Sequence, residues 1–208
     1  MITCYHGSPE LFDKFDLNKA GDGTGIKFGF GINLSESEAT AVNYSEPRPH
    51  SGPRIQVRAK DHYLYTVEIS DLTDDNHLVS AQPVHPAIIQ RVEAKLGQAI
   101  PQKMTLQGKE FRKWIGMVLT GSTTRSLQSE KAASEFLDSI GVFCNVWPQH
   151  QSKPDSLKNY AIFDASKVTI KQIEHFDGIL KGNRFIMVEN SRKTIYIDCD
   201  NQPKQLNP

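Results

Sequence analysis

Polar and apolar positions alternate most cleanly over Tyr63-Leu64-Tyr65-Thr66-Val67-Glu68-Ile69, a run rich in β-branched and aromatic residues. A period of two with that composition predicts a strand. A shorter run begins at Met1 and places His6 next to Gly7, after which Ser8-Pro9 breaks the strand and turns the chain. Three helical stretches follow the central strand, about Pro86 to Leu96, Gly108 to Leu119 and Ser129 to Ile140. In the third, Ala132, Ala133, Phe136, Leu137 and Ile140 recur at three and four and make one apolar face, which Gly141 ends.

The remaining pattern is made of short pieces. Phe12 and Phe15 stand three apart, as one helical or turn-like step would present them to a core. Ser35-Glu36-Ser37-Glu38 fits a capping box, with Ser35 as the cap and a helix of about ten residues running to Tyr44, stopped before Pro47. Val142 to Trp147 reads as a strand, and Pro148 to Ser156 as a polar loop. Asn159 to Asp164 and Val168 to Lys171 read as two short strands around Ala165-Ser166-Lys167. The chain then predicts a C-terminal hairpin over 184–198, from Arg184 to Glu189 and Thr194 to Asp198, joined by Asn190 to Lys193. Many short strands with helices grouped in the middle, an insertion over about 77–128, predict an α+β fold in a single domain over 1–208.

Composition narrows the function classes. Lysine plus arginine equals aspartate plus glutamate at 24 each, so the formal net charge is zero and a general nucleic-acid or membrane-surface coat is disfavoured. The absence of a long apolar run or of signal-peptide zones gives the expectation of a cytoplasmic protein without a membrane partner. Three well-separated cysteines, Cys4, Cys144 and Cys199, supply neither a disulfide framework nor zinc spacing, and no metal is expected. Cys4 and His6 alternate on one strand without a third, orienting group, which favours a buried cysteine over a thiol nucleophile.

Candidate chemistry gathers in three places. Gly7 leaves the main chain beside His6 free of a side chain, room for a small planar amide. Five glycines in the eleven residues from Gly21 to Gly31, with Phe28 and Phe30 among them, predict a mobile or tightly folded loop that fits neither a dinucleotide fingerprint nor a phosphate loop. Between Pro47 and Lys60 the chain carries Arg48, His50, Arg54, Arg58 and Lys60 with no acid. Such a stretch is either a solvated insertion or a contact surface for a phosphate backbone.

Three of these segments, Tyr5-His6-Gly7-Ser8, Gly29-Phe30-Gly31-Ile32-Asn33-Leu34 with its following helix, and Asn159-Tyr160-Ala161-Ile162-Phe163-Asp164, resemble in order the motifs of ADP-ribosyltransferases, the superfamily of diphtheria-type toxins and poly(ADP-ribose) polymerases. The resemblance implies a split β-sheet core whose cleft binds NAD+ as a substrate. His6 would bond ribose hydroxyls, Gly7 the nicotinamide carboxamide, with Ser8 and Gly31 beside them. Asn33 stands where the family stacks an aromatic, and Asn159 where it uses a glutamate; Phe28, Phe30 or Tyr44 would then supply the ring, and Glu36, Glu38 or Glu68 the charge. The implied activity is ADP-ribose transfer to a macromolecular acceptor by a bacterial or phage toxin or effector, with a neutralising antitoxin or immunity protein as partner. Arg48, Arg54, Arg58 and Lys60 would face that acceptor and lean it toward RNA or DNA over protein. The alternatives are a weakened NAD-binding or interaction module on the same fold and an NAD+ glycohydrolase.

Overall fold

Strand pairing carries out most of what the alternation predicts. The computed structural model describes residues 1–20, 26–46, 61–150, 152–153 and 155–197. Within them the chain forms two compact units, one from 1–16, 34–70 and the stretch from 168 on, the other from 17–33 and 71–167.

In the first unit β1 (Ile2–Ser8) and β3 (Tyr63–Ile69) pair antiparallel over their full lengths, from Ile2 opposite Ile69 to Ser8 opposite Tyr63. β2 (Ile32–Ser35) flanks β1 at Tyr5 and Ser35. On the other side β3 pairs with β7 (Val168–His175), and β7 with β10 (Lys193–Ile197), all antiparallel. Alternation then assigns faces. Gly7 and its neighbour across the ladder, Leu64, lie toward helix α1 (Glu38–Ser45), where Ala41, Val42, Leu64, Phe176 and Phe185 form a buried cluster. His6 and its partner Tyr65 lie on the opposite face.

Two expectations are corrected here. The cap of α1 is Ser37, whose hydroxyl accepts from Thr40 N–H, whereas Ser35 belongs to β2 and its hydroxyl accepts from Ser37 N–H. The cap therefore lies two residues later than the capping-box reading placed it. The expected hairpin over 184–198 does not form either. β9 (Arg184–Met187) pairs back onto β8 (Gly178–Lys181), with Lys181 opposite Arg184, so Gly182-Asn183 is the turn and Gly182 takes the left-handed φ of 62°. A two-residue Gly-Asn connection is a stronger hairpin signal than the four polar residues from Asn190 to Lys193.

The second unit is helical on a small sheet. β4 (His77–Val79) runs parallel to β5 (Cys144–Pro148), and β5 antiparallel to β6 (Lys158–Ile162). Between β4 and β5 lie α2 (Pro86–Leu96), α3 (Gln102–Thr105), α4 (Gly108–Thr120) and α5 (Leu127–Asp138). α2 has the predicted bounds because His85 caps it through Nδ1, Pro86 fits the first turn and Gly97 ends it in the left-handed region. α5 starts earlier than Ser129, since Ser126 and Ser129 cap each other. Ile88, Val92, Phe111, Ile115, Leu137 and Val142 are fully buried in its core. No described helix is long and apolar enough to cross a membrane.

Helices α4 and α5 touch at Gly116, where an added β-carbon would lie 2.2 Å from the Ser129 carbonyl oxygen. Glycine to alanine inside a helix ordinarily adds about 0.4–1 kcal/mol of stability. Here overpacking reverses the sign, and Gly116→Ala is expected to lower stability in urea denaturation by about 1–3 kcal/mol. A gain would show that the helices separate without cost.

Candidate functional site

The side-chain position of Gly7 is already occupied. A β-carbon there would lie 1.9 Å from the Ala41 carbonyl oxygen, so α1 lies directly on β1. The room expected there for a planar amide is filled by the helix, and close helix approach is what makes glycine necessary. Ser8 is buried, and its hydroxyl accepts from Glu10 N–H at 3.0 Å, which turns the chain at Pro9.

On the other face His6 stands in a cluster of rings. Phe15 meets it edge-on at 5.2 Å and 86°, with Phe12 and Tyr65 each at 6.0 Å. Phe12 stacks on Tyr65 at 4.2 Å and 8°. The Tyr65 hydroxyl accepts from Phe12 N–H at 2.8 Å and donates to the Glu10 carbonyl at 3.0 Å, fastening the segment after β1 over β3. Sequence reasoning placed Phe12 and Phe15 toward a core and missed their gathering on His6. Only their spacing of three signalled a shared side. Cys4 is fully buried, and burial, with the nearby Glu36 charge, pushes its thiol up to about 12, so it is no nucleophile near neutrality.

Within the second unit the segment from Ile26 to Gly31 is tightly held, while 21–25 lie outside the described residues. Phe28 stacks on Trp147 at 4.0 Å and 4°, and its carbonyl accepts from Asn145 Nδ2 at 2.7 Å. Asn145 in turn accepts from the Ser80 hydroxyl. Arg125 donates to the Ile26 carbonyl, and a β-carbon on Gly31 would strike the Ile162 carbonyl at 2.5 Å. Beneath Gly29 lies a buried ionic network in which Glu130 pairs with both Arg112 and Arg125. Arg112 has no exposed side-chain surface. Burial pulls its guanidinium down from the ordinary value, as does the Arg125 charge, with the Glu110 charge opposing in part.

The sequence-assigned residues therefore have these places. His6, Gly7, Ser8 and Tyr44 belong to the first unit, and Phe28, Phe30, Gly31, Asn33 and Asn159 to the second. Phe30 is buried with the Lys131 ammonium 5.6 Å from its ring centre, and Tyr44 is 46% exposed. Asn33 is half-buried on β2, and Asn159 is 8% exposed on β6 opposite Trp147. Glu38 pairs with Arg192 beside a cavity of about 590 Å3 lined also by Met187 and Asn190. Arg48, Arg54, Arg58 and Lys60 lie outside the described residues. Among the described residues, no three or more of His, Cys, Asp and Glu are grouped to hold a metal ion.

No family model, curated protein or solved structure matches the chain.

Two tests follow from the buried charges. Glu130→Gln leaves Arg112 without its counter-charge, and a loss of about 3–5 kcal/mol in denaturant melts is expected. The double change Arg112→Met with Glu130→Leu recovers most of it, and equal losses in both variants would deny the pairing. His62 is buried between Phe176 and Phe185, with Glu46, Ser45, Asp61 and His175 around it. Burial lowers its pKa from the ordinary 6.5, with Glu46 opposing. The unfolded chain thus takes up this proton first, and stability falls as pH drops below about 6.5 until the folded pKa is passed. His62→Gln should shrink that acid loss in melting curves; an unchanged slope would place the linkage elsewhere.

Proposed function

We propose that the chain is an NAD+-dependent ADP-ribosyltransferase acting on a macromolecular acceptor. The observation that supports this most is the arrangement at His6. It stands on a strand paired on both sides, one residue from a glycine packed under α1, and among the rings of Phe12, Phe15 and Tyr65. The order of β1, the glycine-containing segment, β2, α1 and β3 along the chain follows the order of the resembling motifs.

In the reaction the bond between the nicotinamide nitrogen and the ribose carbon breaks, neutral nicotinamide leaves, and an acceptor nucleophile bonds that carbon and releases its proton. His6 holds the ribose hydroxyls. Asn159 fills the position at which the resembling family uses a glutamate, and an amide offers no negative charge to an oxocarbenium-like centre. Losing such an electrostatic partner typically costs about a hundred- to a thousandfold in rate. A slow transferase follows, acting on RNA or DNA rather than protein if the basic residues from Arg48 to Lys60 meet the acceptor. Asn159 equally favours a second reading, a binding module on the same fold that no longer transfers.

Incubation of the purified protein with adenylate-labelled NAD+ and a cell lysate is the test. Label is expected in nucleic acid, and His6→Ala should abolish it while the melting temperature stays close to that of the parent. Asn159→Glu should keep or raise NAD+ consumption. Transfer by His6→Ala at the parent rate would reject the assignment, and label found only in protein would reject the nucleic-acid acceptor.

A further inference from the structure

We propose that β8 is a self-association edge, at which two copies of the chain pair antiparallel about a two-fold axis at Ile179. β8 and β9 form a two-stranded sheet of their own, and among the described residues no third strand pairs with β8. A sheet of two strands is marginally stable by itself, and an open strand edge is usually blunted by a bulge, a proline or a covering segment. β10 carries such a bulge, between Thr194 and Tyr196. β8 has neither bulge nor proline, and it exposes Ile179 at 50% and Leu180 at 42%.

The register decides which backbone groups this edge offers. Around the two-residue turn Lys181 and Arg184 are the bonded pair, so bonding alternates to Ile179 with Ile186 and then to Asp177 with Val188. Two hydrogen bonds fit this alternation. Val188 N–H donates to the Asp177 carbonyl at 2.8 Å, and Phe185 N–H, turned away from β8, donates to Asn43 Oδ1 at 2.9 Å. The N–H and C=O groups of Gly178 and Leu180 therefore face outward. α1 caps the β9 edge through Asn43, whereas the β8 edge offers its four groups to another strand.

A second copy supplies matching groups. Gly178 of each copy bonds Leu180 of the other, which centres the pairing on Ile179 against Ile179. One step outward, Asp177 of each copy stands directly opposite Lys181 of the other, in a non-bonded pair where side chains are closer. Both residues are exposed, and they share a face with Ile179. Within the hairpin Lys181 lies opposite Arg184, a like-charge pair that is destabilising by itself, and the second copy brings an acid beside it. On the other face Leu180 lies over Gly178 of the second copy, where the Phe185 ring fills the place of a side chain. A uniformly acidic strand or a phosphate backbone would satisfy Lys181 but meet like charge at Asp177, so the alternating edge fits itself best. The edge is short, and the dimer is weak and concentration-dependent.

The test is sedimentation velocity of the full chain from micromolar to millimolar concentration, over which the parent should pass from monomer to dimer. Asp177→Lys or Lys181→Asp turns both ion pairs into like-charge pairs, and each variant alone should dimerise about two- to thirtyfold more weakly. Mixed one to one, the two variants restore opposite charges at both positions, so the heterodimer should recover the parental affinity. That recovery also shows that both variants are folded. A parent that stays monomeric, dimerisation unmoved in both variants, or a mixture no better than its components would overturn the inference. So would a monomer that binds a single-stranded oligonucleotide or an alternating glutamate-valine peptide and loses it in Lys181→Asp, which gives the edge another occupant.

Discussion

The close approach of α1 to β1 at Gly7 is the constraint on which the first unit depends. The Ala41 carbonyl occupies the space a side chain would need, so β1 and the helix are fixed at a separation only glycine permits. With that face committed, the alternation of the strand sends His6 the other way, and the full antiparallel register with β3 brings Tyr65 beside it. Tyr65 then reaches beyond the sheet, and its hydroxyl fastens the backbone at Glu10 and Phe12. One glycine thus separates a packing face, with Leu64, Phe176 and Phe185, from the face that carries His6 and Tyr65. The second unit uses the same device at Gly31 and Gly116, where the Ile162 and Ser129 carbonyls take the place of side chains.

What the sequence made legible follows from how local each signal is. β3 was readable to the residue because a half-buried strand must alternate, and α2 because its cap, its proline and its terminal glycine all lie within the segment. β4 was missed: three residues paired in parallel to a strand more than sixty positions away leave almost no local trace. The C-terminal pairing was misread because β9 has apolar neighbours on both sides in sequence, and only the Gly182-Asn183 turn selects the earlier one. The cap of α1 was misplaced by two residues because Ser35 and Ser37 both offer a hydroxyl and the ladder decides which is free to cap.

The candidate site was legible in part, for the same reason. His6 and Gly7 stand out as neighbours on a strand end, but the reason for glycine is a helix more than thirty residues later. Phe12 and Phe15 carry no marker that links them to His6; the link is Tyr65, across the sheet. In the other unit nothing in the sequence marked Arg112, Glu130 and Arg125, yet Arg112 and Glu130 are wholly buried, and Arg125, paired with Glu130, bonds the Ile26 carbonyl of the segment that carries Phe28 and Gly29. On the proposed transferase reading, Asn159 and Asn33 are the departures that would slow the reaction, because amides stand where the resembling motifs have a carboxylate and an aromatic.

The central claim is that the face of β1 carrying His6 receives NAD+. The most direct measurement is titration of unlabelled NAD+ into isotope-labelled protein, following the imidazole signals of His6 and the ring signals of Phe12 and Phe15 by NMR. Saturable shifts of those three, with His62 and His77 in the same spectra unmoved, are the predicted result. Shifts confined to other residues, or none at millimolar NAD+, would contradict it.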